Sequence, residues 1–336
     1  MKISASLYSA KQQDLPSLVH ELDELKLDYF HIDCFDKDAE KVAKDITAIK
    51  SISNTPIDLH VISSDISKFV SFANEWGVSQ LCFQYENLEK GFKLPANNNY
   101  KLGLALTNTT DLEVIEPYKN NLDYILLMTT TPGKSGGTFE KSSFERIRKC
   151  RALFPNTPIY VDGGINAEVS FILRLLGVSM AVSGSFLVNN NNTAVALSDL
   201  RFHQKGSYYL IKDFMLNLDK LPILEMENAN FKQAVEAIEQ YKMGVVLFTK
   251  NGALEGISSN ADLRKGLLKN MQNLNNIKLA DIINPFPKTI KESNTTYEML
   301  SFIKKSNIPL LFLPVVDNNN KLKGMITFNE LIKGEG

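Results

Sequence analysis

Two short apolar runs each carry a histidine and an aspartate two residues apart: His31-Ile32-Asp33 within Tyr29–Phe35, and Asp58-Leu59-His60 within Ile57–Ile62. In a strand, side chains i and i+2 leave the same face, so each run presents an imidazole and a carboxylate together. A third run, Tyr160-Val161-Asp162-Gly163-Gly164, closes on another acid. Buried charged groups are costly unless they are paired or bind a metal. His31, Asp33, His60 and Asp162 therefore read as a ligand set of two imidazoles and two carboxylates. Such nitrogen and oxygen donors suit one divalent ion, Zn²⁺, Fe²⁺, Mn²⁺ or Co²⁺, and the sequence does not choose among them.

These residues need strands to hold them. The first two-thirds of the chain alternates apolar strand patterns with amphipathic helical ones. Eight strands are expected, at Lys2–Leu7, Tyr29–Phe35, Ile57–Ile62, Gln80–Tyr85, Lys101–Thr107, Tyr124–Thr130, Pro158–Gly164 and Met180–Ser185. Helical patterns fall at Leu15–Leu27, Ala39–Ile49, Asp65–Trp76, Glu140–Phe154 and Ala167–Leu176, with a weak one at Leu88–Phe92. Eight units in about 200 residues predict an α/β fold, a (β/α)8 TIM barrel, in preference to a doubly wound sheet. Chemistry in such barrels sits at the C-terminal strand ends. Gly163 and Gly164 after strand seven, and Gly184 and Ser185 after strand eight, can present backbone N–H groups to a phosphate. Gly133 and the pair Gly136-Gly137 suggest a lid over the ligand.

The bulk numbers set limits. The 336 residues predict two domains. Lys plus Arg, 37, nearly balances Asp plus Glu, 38, so no global field favours nucleic acid or an anionic membrane. Three scattered cysteines predict no disulfide framework and fit a reducing compartment. With no signal-peptide pattern and no apolar run of membrane-spanning length, a cytoplasmic protein is expected.

After residue 200 an internal repeat appears. Val245–Gly256 aligns without gaps on Leu313–Gly324, each copy reading as strand, turn and strand. Each is preceded by an amphipathic helix, Asn230–Tyr241 or Thr295–Lys305, and runs on into another, Gly256–Leu263 or Gly324–Leu331. The expected layout is a barrel at 1–202, a connector at 203–220 and a tandem pair at 221–336, with repeats at about 221–272 and 279–336.

The first domain resembles the ribulose-phosphate 3-epimerase family. The resemblance rests on Ile3-Ser4-Ala5-Ser6-Leu7-Tyr8, His31-Ile32-Asp33, Asp58-Leu59-His60, Met128-Thr129-Thr130-Thr131-Pro132-Gly133, Val161-Asp162-Gly163-Gly164-Ile165-Asn166 and Val182-Ser183-Gly184-Ser185, in the family's order over about residues 1–190. It implies that His31, Asp33, His60 and Asp162 bind one divalent metal. Asp33 and Asp162 would be the catalytic acid–base pair, and the substrate a phosphorylated ketose epimerised next to its carbonyl through an enediolate. Ser6 would orient a substrate hydroxyl, and Met128 would pack near the metal. The chain departs from the family in several places. The loop after Asp33 is shortened, Phe35 and Ile62 replace two methionines, Gln84 stands where a histidine is usual, and Lys134-Ser135 alters the strand-six loop.

The repeat resembles a tandem pair of CBS motifs, most like the pair on arabinose 5-phosphate isomerase, through Ala261–Lys265 and Asn284–Ile290. That resemblance implies binding of an adenine nucleotide or sugar nucleotide, with Ser259 and Thr327 at phosphate and Asp262 and Glu330 at ribose. Both modules imply a homo-oligomer. Two other readings stand beside the leading one. The first is an epimerase or isomerase of a different phosphorylated sugar in surface-polysaccharide precursor synthesis. The second is an inactive barrel serving as a sensor scaffold.

Overall fold

The computed structural model describes residues 1–328 apart from residues 12, 96–98, 131–135, 203–208, 275–276 and 307–309. Gly133, Lys134, Ser135 and Glu330, along with the helix expected to follow Thr327, lie outside the described residues. The chain divides into two compact units, Met1–Lys205 and Gly206–Asn329.

The first unit is a closed barrel of eight parallel strands in sequence order. Its strands are β1 (Lys2–Ser6), β2 (Tyr29–Phe35), β3 (Ile57–Ile62), β4 (Gln80–Gln84), β5 (Lys101–Leu106), β6 (Tyr124–Met128), β7 (Ile159–Asp162) and β8 (Met180–Ser183). Pairing of Ser4 with Val182 and of Ser6 with His31 shows β1 bonded on both sides, which closes the ring. Helices α1 (Leu15–Glu24), α2 (Ala39–Ile52), α3 (Ile66–Trp76), α4 (Ser142–Leu153) and α5 (Ala167–Leu175) cover the outside, followed by α6 (Ser185–Val188) and α7 (Thr193–Phe202). Several starts are fixed by side-chain caps. Asp14, Asp65 and Asn166 each accept a hydrogen bond from the backbone N–H three residues on.

The weak helix expected at Leu88–Phe92 does not form. A single 3-10 turn at Tyr85–Asn87 follows β4, and Gly91 takes a positive φ of 78° in the way of a helical run. Between β5 and β6 the chain makes a 3-10 stretch, Leu112–Asn121, with Pro117 inside it, where an α-helix would lose a backbone donor. Among the described residues no helix is long and apolar enough to cross a membrane.

The second unit opens with α8 (Ile211–Phe214) and β9 (Leu216–Asn217). It continues through β10 (Ile223–Glu225), α9 (Phe231–Tyr241), β11 (Val245–Lys250), β12 (Ala253–Ser259), α10 (Asn260–Lys269), β13 (Ile290–Lys291), α11 (Thr296–Lys304), β14 (Phe312–Val316) and β15 (Leu322–Thr327). Two sheets result, β10-β11-β12 and β13-β14-β15-β9. Alternation along β11 sorts its faces: Val245 and Leu247 pack with Val316, Leu322 and Met325 of the other repeat, whereas Val246 and Phe248 pack with Ala234, Ile238 and Leu263 of its own helices.

Part of the segment expected as a connector is built into this unit. β9 pairs with β15, Asn217 against Gly324 and Leu216 against Met325. The matching segment of the other repeat makes the reverse contact, with Asn284 bridged to Ile257. The equivalent glycines allow it. A Cβ on Gly324 would lie 2.4 Å from the Leu216 carbonyl oxygen, and one on Gly256 2.8 Å from that of Asn284. Each segment also opens the same way, the Leu210 N–H donating to Asp213 and the Lys278 N–H to Asp281, both at 3.0 Å.

Candidate metal and acid–base site

Strand register brings the dispersed motifs together. His31 pairs with Asp58 and Asp33 with His60 across β2 and β3, and Asp162 ends β7 beside Met128 of β6. One ligand atom from each of His31, Asp33, His60 and Asp162 lies within 4.8 Å of the others. Both imidazoles are fully buried, while Asp33 and Asp162 are partly open. The two carboxylates come from strands separated around the ring by β8 and β1, so they approach the barrel axis from different sides.

Each imidazole is held from behind. His31 Nδ1 is 2.8 Å from Asp58 Oδ2, and Asp58 is itself buried. His31 Nε2 then faces Asp33 Oδ1 at 3.4 Å and Asp162 Oδ2 at 3.7 Å, and it has no hydrogen-bond partner. His60 Nδ1 is 3.0 Å from Asp33 Oδ1, and its Nε2 is 2.9 Å from Gln84 Oε1. A buried polar nitrogen without a partner is costly. Here it points into a cluster of oxygen and nitrogen donors whose rear hydrogen bonds fix the ring orientations, as metal-ligating histidines require. On these observations the four residues fit a divalent cation.

The local electrostatics split the two acids. Burial raises Asp162, and the Asp33 charge adds to that, against the pull of His31 and His60. Burial also opposes ionisation of Asp33, but the neighbouring imidazoles of His31 and His60 outweigh it and hold the carboxyl well below its ordinary value. Burial would lower His31, yet Asp58 and Asp33 together keep it well above the usual histidine value. Two carboxyls pushed in opposite directions are a suitable start for paired acid and base roles.

The other expected residues lie around this centre. Ser6 ends β1, with its Oγ 3.0 Å from Ser9 Oγ. Gly184 sits at the same corner, where a Cβ would be 2.5 Å from Ser9 Oγ and 3.7 Å from Ser6 Cβ, and Ser185 begins α6. Gly163 and Gly164 have φ of 118° and 66°. A Cβ on Gly163 would lie 2.8 Å from the Thr130 backbone nitrogen, and one on Gly164 2.3 Å from that of Phe139. The loops after β6 and β7 therefore meet backbone to backbone. Gly136 has φ of 84° with open space around it. Met128 is buried in the barrel among Tyr29, Cys82, Ala105 and Tyr160.

In the second unit Ser259 caps α10. Its Oγ and its backbone N–H both donate to Asp262 Oδ2, at 2.6 and 2.9 Å. Thr327 ends β15 opposite Phe312. The sequence reading gave Asp58 and Glu86 no role. Asp58 lies on β3 two residues before His60 and Glu86 in the 3-10 turn after β4, and their contacts to His31 and Gln84 are not visible from their sequence neighbours.

A family model described as the Ribulose-phosphate 3 epimerase family matches residues 2–188, and one for the CBS domain matches residues 279–335. The ribulose-phosphate 3-epimerase of Methanocaldococcus jannaschii is 26% identical over 235 residues, covering 66% of this chain and 99% of its own. That of Bacillus subtilis is 25% identical over 216 residues, covering 60% and 98%. Among solved structures, that of CBSX2 in complex with AMP covers 38% of this chain and 96% of its own, at 22% identity and a TM-score of 0.32.

Proposed function

The chain belongs to the ribulose-phosphate 3-epimerase family, and from that premise we propose that its barrel inverts the carbon next to the carbonyl of a ketose phosphate, with a divalent metal at His31, Asp33, His60 and Asp162. It is an isomerase-class enzyme acting on a sugar phosphate. The observation that carries the finer reading is the convergence of two carboxylates from β2 and β7 beside two rear-anchored imidazoles.

Inversion next to a carbonyl needs a weakly acidic proton taken from one face and returned on the other. Asp33 Oδ1 and Asp162 Oδ2 point at His31 Nε2. That leaves Asp33 Oδ2 and Asp162 Oδ1 to exchange protons with substrate. A divalent cation bound at the four residues supplies positive charge against the oxyanion that proton removal creates. Ser6 orients a hydroxyl at the β1–β8 corner. The glycines after β7 and β8 allow the tight turns that offer main-chain N–H groups to the phosphate, and Gly136 of the β6 loop has open space around it.

A structural observation favours a best substrate other than ribulose 5-phosphate. After Phe35 the chain makes one 3-10 turn, Asp36–Asp38, and enters α2 at once, so the wall that a longer loop would build is missing. In the second unit, Ser259, Asp262 and Thr327 support binding of an adenine nucleotide or sugar nucleotide that tunes the barrel.

The test is a screen of ketose phosphates for deuterium uptake from solvent next to the carbonyl, run with Zn²⁺, Fe²⁺, Mn²⁺ and Co²⁺ in turn. Uptake with at least one substrate is expected. If no metal and no ketose phosphate gives exchange, the epimerase reading fails and the scaffold reading takes its place.

A further inference from the structure

Gln84 is the residue at which this chain departs from a histidine, and it touches a proposed metal ligand directly. Its Oε1 is 2.9 Å from His60 Nε2, with both side chains buried. Amide oxygen and nitrogen are told apart by their partners. Here the partners are unambiguous. The Gln84 Nε2 group donates to Glu86 Oε2 and, at 3.4 Å, to the Ala105 carbonyl, and both of these only accept. The amide nitrogen is committed to them, so the oxygen must face His60. An amide oxygen cannot donate, so His60 Nε2 must carry the proton.

Glu86 sets the direction of this chain of bonds. Its Oε1 accepts from the Thr107 N–H at 2.9 Å, from Thr107 Oγ1 at 2.9 Å and from Thr110 Oγ1. Glu86 is thus fixed by the loop after β5 and offers only acceptor capacity towards Gln84. We propose that Glu86 and Gln84 are positioning residues for the metal centre: together they lock the proton of His60 on Nε2 and so present Nδ1 to the cation. This rests on the metal reading above.

The polarity can be inverted without changing shape. In Glu86→Gln the Thr107 and Thr110 donors keep the oxygen end, and the new NH₂ group faces the Gln84 NH₂ group. Gln84 relieves that clash by turning over, offers N–H to His60 Nε2, and drives the imidazole proton to Nδ1. The double variant Glu86→Gln with Gln84→Glu restores an acceptor for His60 and a partner for the new amide. Gln84→Met removes the acceptor at similar volume.

The experiment is Zn²⁺ affinity of the full chain by competition with a chelator, with circular dichroism and melting of the metal-free proteins as fold controls. Loss of a residue that orients a ligand lowers affinity ~10–100-fold. That loss is expected for Glu86→Gln and for Gln84→Met, with recovery to within about threefold in the double variant. Wild-type affinity in either single variant overturns the proposal. A double variant no tighter than Glu86→Gln also overturns it, since a merely structural loss would not be rescued. If Glu86→Gln does not fold, Gln84→Met alone decides. Failure of the wild type to bind Zn²⁺, Fe²⁺, Mn²⁺ or Co²⁺ overturns the metal reading itself, and is thereby told apart from failure of the lock.

Discussion

Asp58 and His31 form a buried pair, Oδ2 to Nδ1 at 2.8 Å, across neighbouring strands. The pair decides which nitrogen of His31 faces the acids. Asp58→Asn keeps the shape but replaces a carboxylate acceptor with a weaker neutral one. Metal affinity should fall ~10-fold or more, read by chelator competition, with the melting point of the metal-free protein as a control. Unchanged affinity would remove Asp58 from the site.

The two acids should separate exchange from inversion. In Asp162→Asn, with metal in excess, turnover should drop ~10²–10⁴-fold. Proton exchange with solvent should survive for one of the two epimers, the one whose proton faces Asp33. Asp33→Asn should preserve exchange for the opposite epimer. Mass spectrometry of each epimer incubated in D₂O reads this. Wild-type inversion in either variant contradicts two-base transfer.

Gly164→Ala should destabilise the barrel. Its φ of 66° disfavours a side chain, and the added Cβ would meet the Phe139 backbone nitrogen at 2.3 Å. A left-handed alanine alone costs about 1–2 kcal/mol, so a loss of about 2 kcal/mol or more is expected by urea unfolding. A loss below about 0.5 kcal/mol would mean that the β6 loop yields freely.

Asp23 ties α1 to the segment after α2. Hydrogen bonds from Ser53, and then Thr55 at 3.0 Å, hold its carboxyl below the ordinary value. A depressed folded pKa gives stability that is present above the unfolded value of about 3.9 and lost as pH falls through the folded one. Asp23→Ala should therefore be less stable than wild type at pH 7, and the gap should close as pH drops below about 4. Denaturation midpoints across pH measure it, and a gap that widens in acid would reverse the sign.

In the second unit the proposed nucleotide would have to compete with the bond between Ser259 and Asp262. A ligand at a hundredfold excess over its Kd should add about 2.7 kcal/mol of stability. Asp262→Ala should reduce that gain in a melting screen of adenine nucleotides and sugar nucleotides. No shift with any of them would leave the tandem repeat as an assembly module.

Strands that carry the site were plain in the sequence. Tyr29–Phe35 and Ile57–Ile62 are apolar runs interrupted only at alternate positions, by His31 and Asp33 and by Asp58 and His60, so their bounds and the inward histidines follow together. Asp65, Asn166, Asn230 and Thr295 marked helix starts because each cap is a local bond. What was not legible depends on distant partners. Gln84 looks like any amide until Glu86 and Ala105 fix which end it turns to His60. Leu216 and Asn217 look like linker because their strand partners among the described residues lie more than a hundred residues away, on β15.

That last pairing changes what counts as one end of the second unit. Each repeat carries the opening segment of the other, Leu216 on Met325 and Asn284 on Ile257. A fragment cut at residue 221 would leave one side of β15 without its neighbour, a bare edge ready to recruit a strand from another copy. Deletion mapping with such a fragment would report aggregation and mistake it for a failure of ligand binding. For a protease, or for anyone dividing this chain, the safe place to cut falls before Tyr209, whose carbonyl oxygen accepts from the Thr296 N–H while Leu210 bridges Thr295.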